Sequence, residues 1–205
     1  MPSVAGSGEG AAASDRPDRR PLVGVLAIQG GFEAHRRALE RAGAAVREVR
    51  TVSDLEGVEG LVLPGGESTA IMLGIEREGL AEPIANLATS GRPLLGSCAG
   101  LILLDRSHLG IMGIEARRNA FGRQIKSFET DLVLKGFGEQ PLRAVFIRAP
   151  WIERYDDDVE ILADVDGHPV AARQGRVLAV AFHSELTDDL RLHRWLVEEA
   201  ARSGG

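Results

Sequence analysis

The chain has 205 residues, a length typical of one domain, and its 44% hydrophobic and 26% charged residues exclude a wholly disordered or fibrous protein. The formal net charge of −6 argues against non-specific binding to nucleic acids or anionic membranes, so we expect neither partner. The single cysteine excludes an internal disulfide and a cysteine-based metal cage. It fits a reducing compartment, and we therefore expect a cytoplasmic protein.

The first 20 residues are rich in Gly, Ala, Ser, Pro and Arg and lack the apolar core of a secretory signal. This composition predicts a disordered N-terminal tail at 1–20, followed by a single domain at 21–202 and a frayed end at 203–205. No run approaches the ~18 apolar residues that a membrane span needs.

The first half of the chain alternates short apolar runs with amphipathic segments. Such runs are typical of strands covered on both faces, and their alternation with helices indicates βαβ units. The predicted strands are 22–28, 45–49, 60–64 and 93–96, and the predicted helical segments are 32–42, 80–91, 101–104 and one capped by Ser68 or Thr69.

The second half is richer in predicted strands. These are 125–134, 142–147, 159–165, 170–173 and 177–182. Turn residues at 166–169 and 174–175 predict antiparallel hairpins. Thr187 is the expected cap of a last helix that begins at Asp188. The predicted class is α/β: an open mixed, mainly parallel sheet with helices on both faces and antiparallel hairpins in the C-terminal half.

Cys98 lies in the segment GSCAG at 96–100, between an apolar run and a predicted helical run. This pattern of small residues around a nucleophile is typical of a nucleophile elbow, whose tight turn leaves no room for larger side chains. A position at a helix N-terminus favours the thiolate and lowers the thiol pKa from ~8.5 toward neutrality. The alternative is a small buried hydrophobe, a common role for a free cysteine.

His183 is the candidate base among the five histidines. It ends the predicted strand, and Glu185 follows two residues later, so both side chains point the same way if the segment is extended. The carboxylate can then orient the ring while the other ring nitrogen takes the thiol proton. The alternative is a solvent-exposed strand end. The other histidines are interpreted as packing, turn or surface residues: His35, His108, His168 and His193.

Three loops are candidate binding segments. Residues 64–69 (PGGEST) follow a strand and can offer backbone N–H groups to an oxyanion, but they lack the Gly-Lys-Ser/Thr of a P-loop. Residues 117–124 and 146–150 place arginines beside glycine and proline turns, and arginine can hold a carboxylate in bidentate contact. No carboxylates cluster with histidines at metal-ligand spacing, so we expect no metal. We also expect no cofactor.

Together these segments resemble the class I, triad-type glutamine amidotransferases, and within them the family of glutaminase subunits of pyridoxal 5′-phosphate synthase. The resemblance extends from Leu22 to the final helix. The motifs that support the resemblance are GVLAIQG at 24–30, LPGGEST at 63–69, GSCAGLILL at 96–104, RNAFGRQ at 118–124, FIRAP at 146–150 and AFHSELTDD at 181–189.

The resemblance implies a role for each matching residue. Cys98 would be the nucleophile, His183 the base and acid, and Glu185 the residue that orients the histidine. The residues implied to bind L-glutamine are Gly66, Glu67, Ser68, Arg118, Ile147 and Arg148, and the implied oxyanion donors are the backbone amides of Gly66 and Ala99.

The chain departs from the family pattern at two positions. The family usually has His-Pro-Glu where this chain has Ser184 between His183 and Glu185, which leaves the backbone less restricted. Gly31 stands where the family commonly carries an acidic residue.

The resemblance also implies a partner. A (β/α)8-barrel synthase subunit, twelve copies with twelve of this chain, would use the ammonia together with ribose 5-phosphate and glyceraldehyde 3-phosphate. Low glutaminase activity before docking is also implied. The chemistry of ammonia also favours a partner. In neutral water ammonia is mostly protonated to ammonium, which has no lone pair to attack a carbonyl, so ammonia must pass to the synthase along a path sheltered from water. With only Lys126 and Lys135, this chain has few hosts for imine chemistry of its own.

Three other functions stay open. One is a glutaminase of another amidotransferase complex, such as imidazole glycerol phosphate synthase, against which LPGGEST and RNAFGRQ argue. Another is a cysteine hydrolase or deglycase on a similar fold, which would not need Arg118 and Arg148 to hold an amino acid. The last is a non-catalytic module with an inert Cys98.

Overall fold

The structure, a computed structural model, describes residues 20–121 and 127–203. The predicted tail lies outside these ranges except for Arg20, as do residues 204 and 205 of the predicted frayed end. The single domain at 21–202 stays a prediction. No helix within the described ranges has the length and hydropathy to cross a bilayer.

Eleven strands and five α-helices are formed by the described residues. The strands are β1 (Leu22–Leu26), β2 (Ala45–Val49), β3 (Gly60–Leu63), β4 (Leu94–Ser97), β5 (Ile114–Arg117), β6 (Ser127–Leu132), β7 (Leu142–Ile147), β8 (Trp151–Tyr155), β9 (Glu160–Val165), β10 (His168–Gln174) and β11 (Val177–Val180). The helices are α1 (Phe32–Arg41), α2 (Ser68–Arg77), α3 (Ala81–Thr89), α4 (Ala99–Leu104) and α5 (Arg191–Ser203).

Seven strands form the central sheet in the order β2-β1-β3-β4-β11-β10-β9. The first five are parallel, and β10 pairs antiparallel with both β11 and β9. Two antiparallel ribbons, β5-β8 and β6-β7, stand beside it. Helices α1 and α5 contact each other. Helix α1 packs on β1 and β2, α5 on β1, β3 and β4, and α4 on β3, β4 and β11. The predicted mixed, mainly parallel α/β class is confirmed.

The strand register explains where a site can form. Gly96 in β4 pairs with Leu63 of β3 on one side and Ala179 of β11 on the other. The three parallel strands therefore end at the same edge, and the segments that leave them meet there. Such an edge is the usual place for a ligand site in an open α/β sheet.

Local structure departs from the sequence predictions at several element ends. Strands β5 and β8 were not predicted, because their short sequences IEAR and WIERY carry charges that mask an apolar pattern. The cap of α2 is Glu67, whose carboxylate accepts from Thr69 N and Ala70 N, so the predicted Ser68 or Thr69 cap is wrong. Helix α5 begins at Arg191 rather than Asp188, since the Asp189 side chain accepts from Arg191 N and lies ahead of the first turn.

Candidate active site

Cys98 occupies a strained corner between β4 and α4. Its φ of 51° and ψ of −103° fall in a region that residues with side chains seldom adopt, and its N–H donates to Val180 O at 2.8 Å. The flanking glycines are required by close approach. A Cβ at Gly100 would overlap the Leu63 carbonyl, and one at Gly96 would lie 2.6 Å from a Leu104 methyl. The local geometry is that of the predicted elbow.

His183 is held beside Cys98 by its own backbone. It follows β11, donates its N–H to Val145 O in β7 at 2.8 Å, and begins a short 3₁₀ turn at Ser184–Leu186. Its side chain lines a cavity together with Cys98. Burial by itself disfavours the imidazolium, but the Cys98 sulfur and the Glu185 carboxylate outweigh that effect and raise the pKa of His183 to about 10.

Glu185 lies behind His183, away from the cavity. Its Oε1 is 2.7 Å from His183 Nδ1, and its Oε2 accepts from Ser97 Oγ at 3.1 Å. An extended segment was expected to bring the two side chains together, whereas Glu185 sits in the 3₁₀ turn. Burial alone would raise the pKa of Glu185, but the His35 and His183 rings hold it well below its usual range. The buried carboxylate is therefore ionised and can fix the His183 ring.

The cavity beside Cys98 has a volume of about 340 Å³, within the ~300–1,000 Å³ range of small-molecule sites. Of the residues that the resemblance implies for the site, only Glu185 does not line it. The lining includes Gly66, Glu67, Ser68, Cys98, Ala99, Arg118, Ile147, Arg148 and His183. The structure thus brings together residues separated by more than a hundred positions in the chain.

Two backbone amides at this cavity are suited to an oxyanion. Ala99 is the first residue of α4, so its N–H has no acceptor within the helix. Gly65 O accepts from Gly31 N at 2.9 Å, and because a peptide is planar and trans, the Gly66 N–H points away from Gly31. These are the two donors that the resemblance implies.

The open side of the cavity carries a charged pair. Arg118 Nη2 lies 3.0 Å from Glu67 Oε1 and 3.1 Å from Thr69 Oγ1. Hydrogen bonds from the first backbone amides of α2, together with the charge of Arg118, lower the pKa of Glu67. Both side chains stay about half exposed, so they are accessible to a charged ligand.

Sequence reasoning missed several residues at the cavity. Gln29 lines it and accepts from Glu67 N at 3.0 Å, which ties the loop before α1 to the loop before α2. Asn119 also lines the cavity and, like Arg148 and Cys98, has a positive φ. Backbone strain of this kind is concentrated at functional sites, but it has no signature in the sequence. Ile102 and Pro150 complete the lining.

The two departures from the family pattern lie on either side of Glu185. A Cβ on Gly31 would stand 3.3 Å from Glu185 Oε1, so glycine leaves this carboxylate uncrowded. Ser184 is buried, and its hydroxyl has no hydrogen-bond partner among the described residues. Residues 122–124 of the RNAFGRQ segment lie outside the described residues.

Comparison with known proteins gives consistent results. The model of the SNO glutamine amidotransferase family matches residues 25–202. Over 199 residues the chain is 49% identical to "Pyridoxal 5'-phosphate synthase subunit PdxT" of Nocardia farcinica (strain IFM 10152), covering 90% of this chain and 88% of that one. A protein of the same name from Pelotomaculum thermopropionicum is 49% identical over 189 residues, covering 89% and 96%.

Solved structures share the fold. One described as "Crystal structure of glutamine amidotransferase" superposes with a TM-score of 0.82 at 44% identity and covers 87% of this chain and 98% of that one. Another, described as "Structure of PurLQS from Thermotoga maritima", superposes with a TM-score of 0.68 at 21% identity, covering 91% and 100%, and shows the fold alone.

Proposed function

Because the chain belongs to the SNO glutamine amidotransferase family, we propose that it hydrolyses L-glutamine to L-glutamate and ammonia as the glutaminase subunit of a pyridoxal 5′-phosphate synthase. The observation that carries this proposal is that Cys98 and His183 line one cavity with Arg118 and Arg148, while Glu185 holds the His183 ring from behind at 2.7 Å. The names of the relatives at 49% identity support the synthase assignment.

The reaction begins at the Cys98 sulfur. In its anionic form the sulfur attacks the side-chain carboxamide carbon of glutamine, and the carbonyl electron pair moves to the oxygen. The backbone amides of Ala99 and Gly66 stabilise this oxyanion. When the tetrahedral intermediate collapses, the C–N bond breaks, the nitrogen takes a proton from His183, and ammonia leaves. A thioester on Cys98 remains.

Hydrolysis of the thioester uses the same groups in reverse. His183 removes a proton from water, the resulting hydroxide adds to the thioester carbon, and the C–S bond breaks to give glutamate and the thiolate. Glu185 keeps His183 in one orientation through both halves by accepting from Nδ1. The pKa of about 10 means that His183 carries the proton needed by the leaving nitrogen before glutamine reacts.

Substrate recognition is assigned to the charged groups around the opening. Arg118 and Arg148 suit the α-carboxylate of an amino acid, and Glu67 suits its ammonium group. Gly66, Ser68 and Ile147 provide the remaining surface. A cysteine hydrolase acting on an uncharged substrate would have no use for this distribution of charge.

The ammonia is used by a partner. We assign this to a (β/α)8-barrel synthase subunit, twelve copies with twelve of this chain, acting on ribose 5-phosphate and glyceraldehyde 3-phosphate in the cytoplasm. The support is the resemblance of the chain and the printed names of its relatives. Docking is expected to raise glutaminase activity.

The test adds the synthase subunit to this chain and compares glutamine with ammonium salts as the nitrogen source. Wild type should support pyridoxal 5′-phosphate formation with both, and glutamine hydrolysis should rise on mixing. Cys98→Ala should lose formation from glutamine and keep formation from ammonium. Equal loss with both sources, or unchanged formation from glutamine, would contradict the proposal.

A further inference from the structure

Two histidines that take no part in the proposed reaction lie behind Glu185. His35 in α1 and His193 in α5 are both completely buried, and neither lines the cavity. Their rings meet with His35 Nδ1 3.0 Å from His193 Nε2. His35 Nε2 lies 3.2 Å from Glu185 Oε2. A continuous row of polar contacts therefore runs from α5 through α1 to Glu185 and His183.

Glu185 needs the His35 contact. A buried carboxylate accepts only, and its side chain here is 1% exposed, so protein donors must replace water. His183 donates to Oε1. Ser97 has one hydroxyl proton for two acceptors, Glu185 Oε2 and Phe182 O, both at 3.1 Å. His35 adds a further contact at Oε2: its Nε2 lies 3.2 Å away, in an electrostatic contact that does not have hydrogen-bond geometry.

Hydrogen-bonding rules assign the protons in the row. The His35 nitrogen that faces the carboxylate must carry a proton. Burial lowers the pKa of His193 to about 3, so His193 is neutral and has a single N–H. Its Nδ1 has no partner among the described residues, and a buried N–H without an acceptor is rarer than a bare lone pair. The proton therefore sits on Nε2 and is donated to His35 Nδ1.

We infer that His35, fixed by His193, is a positioning residue for the proposed reaction: it holds Glu185 Oε2 so that Oε1 stays aimed at His183 Nδ1. The inference rests on the proposed function. Because α1 and α5 supply the two imidazoles, the packing of these helices against each other determines the orientation of a base that neither imidazole contacts directly.

The central test replaces both imidazoles. The double variant His35→Leu/His193→Leu removes both rings together, so neither imidazole is left buried opposite an apolar side chain. In complex with the synthase subunit, the double variant should lose roughly 10- to 100-fold in kcat, the range seen when residues that orient metal-bound histidines are removed. KM for glutamine should change less than about twofold, since neither residue lines the cavity.

A conservative variant separates positioning from packing. His35→Gln keeps an amide N–H in the place of Nε2 and should recover most of kcat, whereas His35→Leu should not. His108→Leu is the matched control, because His108 also pairs with a carboxylate, Asp105 at 2.7 Å, away from the cavity. It should keep wild-type kcat.

The pH profile gives an independent readout. Glu185 is faced by His183 and Ser97 as well as His35, with His193 behind, and His35 is among the groups that keep its pKa low. Without His35 the pKa of Glu185 rises, so the carboxylate is protonated at higher pH. The acidic limb of kcat/KM should therefore move to higher pH in the double variant and remain in place in His108→Leu.

Three outcomes would overturn the inference. They are a double variant with kcat within about twofold of wild type, a His35→Gln variant as slow as the double variant, and a loss of kcat without movement of the acidic limb. Each applies only when the wild-type complex hydrolyses glutamine. Absence of hydrolysis by wild type would instead overturn the proposed function, and this inference with it.

Discussion

The candidate site has two sides, one behind the cavity and one at its opening, that differ in burial and in how their charges are satisfied. On the inner side, Glu185 is 1% and His183 14% exposed, and the ring contacts the carboxylate at 2.7 Å. On the outer side, Glu67 is 55% and Arg118 47% exposed, and the two charges pair across 3.0 Å. Both sides contain a cation facing a carboxylate, but only the inner pair is shielded from water.

The difference indicates a division of labour. A buried pair held at 2.7 Å keeps one geometry and needs no reorganisation when charge develops on the substrate. An exposed pair is screened by water, and its contact contributes little to stability. Each side chain can therefore leave the other and bind a charged ligand instead. The inner side therefore suits chemistry, and the outer side suits recognition of an amino acid.

Replacing the catalytic base on the inner side should cause the largest loss of activity. His183→Asn removes the group that protonates ammonia and activates water, and it should lower kcat for glutamine hydrolysis about 10²- to 10⁴-fold. Glu185→Gln should lose less, because an amide can still hold the ring in part. Steady-state assays in the presence of the synthase subunit test this order, and a larger loss in Glu185→Gln would reverse the assigned roles.

Crowding the inner side without removing any reacting group is the next test. A Cβ at Gly65 would lie 2.5 Å from His183 Cε1 and 3.3 Å from Cys98 Cβ, so Gly65→Ala should displace the imidazole. We expect a loss of about 10²-fold in kcat, the scale of a 1 Å misplacement. Gly31→Ala is the milder counterpart, since its Cβ would meet Glu185 Oε1 at 3.3 Å. Equal activities of the two variants would contradict this interpretation.

Breaking the outer side should change binding rather than chemistry. Arg118→Ala should raise KM for glutamine roughly 10-fold, as expected for a charge-assisted contact, with kcat changed less than about threefold. Cys98 should still react with a small uncharged alkylating agent at the wild-type rate. Arg117→Ala is the matched control, since Arg117 does not line the cavity. A fall in kcat at constant KM would place Arg118 on the chemical side.

The effect farthest from catalysis is on stability. Because the pKa of His183 rises from 6.5 to about 10 on folding, protonation stabilises the folded state. This contribution is fully present below pH 6.5 and is lost as pH rises through about 10. The difference in the free energy of unfolding between wild type and His183→Asn should therefore shrink from about pH 6 to about pH 10 in urea titrations. If the difference in the free energy of unfolding grew with pH instead, the pKa of His183 would be lowered on folding, and the prediction would be wrong.

Much of the fold could be predicted because its signals are local. The strands at 45–49 and 142–147 have the predicted bounds, since each is a short apolar or alternating run between turn residues. Strands β5 and β8 could not be predicted, because they are short, carry charges and pair only with each other. The cap at Glu67 was missed because three neighbouring side chains can each cap a helix, and the choice depends on where the preceding loop enters.

The candidate site divides in the same way. By themselves, the residues of this sequence determined a cysteine between small neighbours after an apolar strand, and a histidine and glutamate two positions apart, because both patterns are local. Only the tertiary structure decided that His35 and His193, 158 positions apart, join behind Glu185, and that Gln29 bridges two loops. The physical reason is that parallel strands gather distant segments at one sheet edge, and burial there requires partners that the chain order does not reveal.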